Sequence, residues 1–138
     1  MCAQSWRLGG LTLQVREGDL FEVPAMAIVS SEQTNFVLSW EESAISGQIR
    51  ERLDPSIQTE LDEQTCGKVL PAGTVLVTHG GPLFEQIYHA GFHEPWVWLE
   101  TDLDDALETD RDDAEAEHVR TIRQCISIIL QRLKQVRE

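Results

Sequence analysis

The sequence predicts an α/β domain, a layered sandwich in which a mixed sheet is flanked by helices. Three observations carry that expectation. "LTLQV", Leu11 to Val15, alternates apolar and polar residues, the period of a half-buried strand. "AMAIVS" and "GTVLVT" are short, continuous apolar runs, the pattern of strands covered on both faces. Apolar residues elsewhere recur every three or four positions, the period of amphipathic helices.

Taken in order, Leu11, Leu13 and Val15 are expected to face inward, and Gly18-Asp19 to turn the chain. The apolar run through Ile28 and Val29 forms the next strand. Ile45, Ile49 and Leu53 place "SAISGQIRERL" on a helix packed against the sheet. Asp54-Pro55 ends that helix, because the residue before a proline is driven out of the helical region. Ile57 and Leu61 then mark a second helical piece before Gly67. Thr74 to Thr78 is a strand bounded by glycines, and "QIYHAGF" is another. Val119, Ile122, Ile126, Ile129, Leu133 and Val136 define a long helix over about 115–137, with Ile128 and Leu130 widening its apolar face. Its basic residues gather toward the C-terminal end, where they suit the helix dipole. The expected core contains Leu13, Val15, Ile28, Val29, Ile49, Val75, Val77 and Ile126, and residues 1–138 are expected to form a single module.

A chain of 138 residues can bury one such core without staples. Cys2, Cys66 and Cys125 are an odd number at wide spacings, which argues against a disulfide framework and a cysteine-rich zinc site. Cys125, in an apolar helical stretch, reads as a small core residue. No apolar run reaches the ~20 residues that span a bilayer, and the N-terminus lacks a basic-then-apolar leader pattern. No membrane association and a cytoplasmic location are expected.

The formal charge of −13 is largely local, since ten acids lie between Glu100 and Glu117 with Arg111 as the one base among them. Phosphate backbones need clustered Lys and Arg, so nucleic acid is not an expected partner. The acidic stretch lacks the glycine and terminal glutamate of an EF-hand loop. It is expected to be a solvated loop or helix entry over about 100–117, or alternatively a docking tail for a basic partner. His79, His89, His93 and His118 are scattered, so no metal site and no cofactor are implied. Trp96 and Trp98 share a face if extended; core packing is expected, a surface contact the alternative. Trp40 is a candidate for stacking on a base.

"EGDL" followed by "AIVSS", then "LPAGTVLVTHGGPL" leading into "IYHA", resembles the macro domain family in order and spacing from about Leu11 to Ala90. That family binds ADP-ribose, and some members hydrolyse its derivatives. The resemblance implies a site at Asp19, Leu20, Ser30, Gln33, Asn35, Ser43, Ile45 and Gly47. Asp19 stands where family members accept a hydrogen bond from the adenine amino group, a task that suits an acceptor-only carboxylate. An equally open reading is that Asp19 only stabilises its turn. Ser30 and Gln33 occupy the asparagine positions of the family's Asn-Ala-Ala-Asn loop, and Asn35 lies two residues further on. Ser43 and Ala44 replace loop glycines that let backbone N–H groups approach a diphosphate, Ile45 takes the usual apolar position, and Gly47 survives. Glu41 and Glu42 just upstream either repel phosphate or suit the helix N-terminus.

The residues that hydrolysis needs are replaced or displaced. The implied function is therefore a non-catalytic sensor or adaptor that binds ADP-ribose or a related adenine nucleotide. The alternative is a ligand-free scaffold for protein–protein association, with ADP-ribosyl hydrolase third. Family members continue past the last helix into a further strand and a second glycine-rich loop that this sequence does not show. Its broad apolar helix face and that missing wall lead to the expectation of a homo-oligomer, or of the remainder of a longer protein, as partner.

Overall fold

A computed structural model describes residues 4–41, 43–93 and 103–137. β1 (Gln4–Leu8) and β2 (Leu11–Val15) form an antiparallel hairpin that pairs Trp6 with Leu13. Gly9, at the first corner of its two-residue turn, has φ 62°, as primed hairpin turns require. A single 3₁₀ turn (Leu20–Glu22) leads to β3 (Ala27–Gln33). Helices α1 (Ile45–Arg52) and α2 (Ser56–Thr65) follow, then β4 (Val75–Gly80), β5 (Phe84–His93) and α3 (Leu103–Arg137).

β3, β5 and β4 form a mixed sheet in that order, β5 parallel to β3 and antiparallel to β4. Helices cover both faces. On one, Ile49 of α1 and Ile57 and Leu61 of α2 bury completely against Ile28, Ile87, Phe36 and Leu38. On the other, Cys125 and Ile129 of α3 close over Val75, Tyr88 and Ala90. Each large aliphatic side chain sealed in this way stabilises by about 1.5–3 kcal/mol. Burial also pushes the Cys125 thiol up from its ordinary pKa, in keeping with a core residue.

Several sequence expectations are corrected here. Leu11, Leu13 and Val15 do not face a core: every residue of β1 and β2 is exposed, because the hairpin is a separate two-stranded sheet. Alternation shows that a strand has an apolar face, not that another element lies on it. β1 itself was not expected from the sequence. Val29 and Ile126 are likewise about half exposed, and Val77 is only partly buried, whereas Ile28, Ile49 and Val75 are in the core. The acidic stretch is not a loop from Leu103 on but the first half of α3, which begins about three turns earlier than expected. No Gly or Pro interrupts 103–137, and acids at a helix N-terminus suit its dipole. Trp96, Trp98, Cys2 and Glu42 lie outside the described residues.

Candidate functional site

The turn after β2 places Asp19 at the rim of an open groove of about 650 Å³. Asp19 caps the 3₁₀ turn, its Oδ1 accepting the Phe21 N–H at 2.9 Å. Arg52, at the end of α1, reaches across to it, with Nη1 3.0 Å from Oδ2. The guanidinium also lies over the Phe21 ring, 4.6 Å from its centroid. The Phe21 N–H, and after it Arg52, hold the Asp19 carboxyl below its ordinary pKa. Leu20 packs partly into the core beneath, and Ile45, 40% exposed, forms the wall opposite. Three of the expected residues, Asp19, Leu20 and Ile45, therefore share one groove.

A second, smaller cavity of about 130 Å³ lies between the end of β3 and the start of α1, lined by Gln33, Ser39, Ala44 and Ser46 among others. Its base is a buried acid, Glu32. Strand alternation puts Ile28, Ser30 and Glu32 on one face, so the carboxylate enters the interior behind an isoleucine. There its Oε1 accepts from Ser30 Oγ at 2.7 Å and pairs with His89 Nδ1 at 3.0 Å, while Oε2 accepts from Ser46 Oγ at 2.7 Å. His89 Nε2 is 2.9 Å from Thr78 Oγ1. A carboxylate without water survives only when its lone pairs are met, and three donors meet them here. Sequence reasoning missed Glu32, His89 and Ser46. The available signal was the period of two, which aligns Glu32 with Ile28 and His89 with Ile87.

The loop between β3 and α1 is clamped from several sides. Asn35 Oδ1 accepts the Val37 N–H at 3.1 Å and so shapes the loop. Phe36 is fully buried at φ 53°, a conformation bulky residues adopt only when their surroundings impose it. Gln58 of α2 bonds Leu38 N at 2.8 Å and Phe36 O at 3.1 Å. Arg50 donates to the carbonyls of Leu38 and Ser39, and its guanidinium stacks 3.8 Å from the Trp40 ring centroid. Trp40 is nonetheless 80% exposed, which leaves aromatic surface open to a ligand.

The remaining expected residues are dispersed. Ser30 is fully buried with its hydroxyl committed to Glu32, so it supports the loop from below. Ser43 is exposed ahead of Ala44, which caps α1 with no side-chain acceptor. Gly47 is buried, and a Cβ there would meet the Glu41 carbonyl oxygen at 1.9 Å. The glycine thus admits the protein's own loop backbone, a different use from the close diphosphate approach implied by resemblance. No cluster of three or more His, Cys, Asp or Glu side chains among the described residues could hold a metal ion.

The mixed sheet flanked by helices matches solved macrodomains in fold. The Oceanobacillus iheyensis macrodomain with ADP aligns over 99% of this chain and 64% of its own, at 18% identity and a TM-score of 0.72. A mutant of that macrodomain with ADPR aligns over 77% of this chain and 57% of its own, at 22% identity and a TM-score of 0.59. The macrodomain of Thermus aquaticus DarG aligns over 87% and 67%, at 15% identity and a TM-score of 0.56. The fold is that of a macrodomain. The chain spans just under two thirds of the length of the Oceanobacillus structure. No protein-family model matches the sequence, and no curated protein sequence matches it.

Proposed function

We propose that this chain is a non-catalytic module that binds ADP-ribose or a related adenine nucleotide, acting as a cytoplasmic sensor or adaptor within a larger assembly. The observation that carries the reading is Asp19, an acceptor held ionised at a groove whose walls are Leu20 and Ile45. Similar folds solved with ADP and with ADPR support it. The neighbouring cavity under Gln33 and the uncapped start of α1 extend the site toward the sugar and phosphates. The reading as non-catalytic rests on the loop chemistry. Ser30 and Glu32 are spent on each other and on His89, and Asn35 on the backbone of Val37.

Calorimetric titration of ADP-ribose into the chain tests this directly. Binding is expected, and Asp19→Ala is expected to weaken it by about 1–3 kcal/mol, the worth of a hydrogen bond to a charged group. An unchanged affinity in Asp19→Ala would move the pocket elsewhere, and no heat at all would remove the ligand. A second reading, association with another polypeptide, is favoured by the exposed apolar residues of the hairpin and α3. No helix among the described residues is long and apolar enough to cross a membrane.

A further inference from the structure

The groove at Asp19 carries a donor group that a contact to Asp19 alone does not use. On α1, Ile45, Gln48 and Arg52 follow one another at three and four residues, so they lie along one face of the helix. Ile45 lines the groove, and the same face brings Arg52 to its rim. There the guanidinium is held on three sides. Nη1 lies 3.0 Å from Asp19 Oδ2, 3.2 Å from Asp19 Oδ1 and 3.3 Å from Gln48 Oε1, while the Phe21 ring lies under the guanidinium carbon. A side chain fixed in this way loses little further freedom when it meets a ligand.

Both members of the pair keep bonding capacity in hand. Asp19 Oδ1 accepts from the Phe21 N–H and from Arg52, whereas Oδ2 accepts from Arg52 alone and retains an open lone pair. Arg52 bonds only through Nη1, so the hydrogens of its Nε and Nη2 meet no acceptor among the described residues. The two side chains are 40% and 37% exposed, within reach of a molecule in the groove. An adenine ring has the complementary edge, an amino donor with an acceptor nitrogen beside it, N1 on one side or N7 on the other.

We propose that Arg52 is a specificity-determining residue of this groove, donating to the ring nitrogen next to the amino group that Asp19 accepts, so that the pair reads one edge of the base. The proposal rests on the adenine-nucleotide reading given above. Asp19 by itself accepts from any amino or hydroxyl group, and the adjoining donor adds the demand for an acceptor at its side. The open lone pair on Oδ2 admits the amino group without displacing Arg52, which favours joint reading over competition for the carboxylate.

Calorimetric titration of ADP into the whole chain, beside 1-deaza-ADP and 7-deaza-ADP, tests this. Each analogue replaces one ring nitrogen by C–H and leaves the amino group in place. One of the two is expected to bind about tenfold more weakly than ADP, the size of a lost hydrogen bond to a charged group. In Arg52→Met, ADP is expected to fall to the affinity of that analogue, and the analogue to lose nothing more. A wild-type chain that binds ADP and both analogues equally overturns the proposal and leaves the nucleotide reading standing. An equal loss for ADP and both analogues in Arg52→Met would make Arg52 a general attraction for phosphate, and also overturns it. Tighter ADP binding in that variant would make Arg52 a competitor for Asp19, again against the proposal. If neither ADP nor ADP-ribose binds the wild-type chain, the nucleotide reading falls and this inference with it.

Discussion

Glu32 is a carboxylate with 3% of its surface exposed, held by two serine hydroxyls and His89. Removing the shared acceptor leaves buried donors unsatisfied, at a cost of about 1–3 kcal/mol for such a group. Glu32→Ala is therefore expected to lower the urea midpoint by that equivalent and to loosen the 39–46 loop, since Ser46 also accepts the Ser39 N–H. An unchanged midpoint would mean that the network contributes nothing. At Asp19 the expectation concerns pH. Its folded pKa lies below the ordinary 3.8, so its contribution is present above the unfolded value and lost only as pH falls through the folded one. Nucleotide affinity should therefore hold steady as pH falls to the ordinary carboxylate range. Arg52→Met should raise the Asp19 titration seen by carboxyl NMR, but not fully restore it, because the Phe21 N–H is the larger cause. A wild-type midpoint at or above 3.8 would contradict the hydrogen-bonded geometry.

At the scale of elements, α3 separates two kinds of apolar residue that its sequence presents alike. Ile129 is 6% exposed under the sheet and Ile126 is 49% exposed, three residues earlier. Ile129→Ala should cost about 2–5 kcal/mol, the usual loss for a large core side chain. Ile126→Ala should stay within about 0.5 kcal/mol, as for ordinary surface sites. Equal losses by denaturant titration would mean that both are covered in solution. The hairpin poses a related case. A lone two-stranded hairpin is marginal in water, and the Trp6–Leu13 cross-strand pair supplies only about 0.2–1 kcal/mol. Cover from another segment would stabilise it further.

For the whole molecule, charge decides what approaches. The net charge of −13 is concentrated in the first half of α3, which the chain carries as helix rather than loop. Titration with duplex DNA or single-stranded RNA at about 0.1 M salt is expected to give no mobility shift, because the large excess of acids opposes the phosphate contacts that would release the nucleic acid's counterions. A shift abolished by raising the salt would overturn that expectation.

The sequence by itself determined the order of elements from β2 onward, Ile49 as a core residue, the helical piece at Ile57 and Leu61, and the acidic turn at Asp19. Those depend on local period and on turn chemistry, which a linear reading registers. Only the tertiary structure decided what each apolar face meets. Leu13 and Ile126 have the same local pattern as buried residues, but no element of the described chain lies on them. Tertiary structure also gave Gly47 to the Glu41 carbonyl and joined Glu32 to His89, which is 57 residues away in sequence. Such contacts bring distant segments together, and nothing in the neighbourhood of either residue encodes the partner.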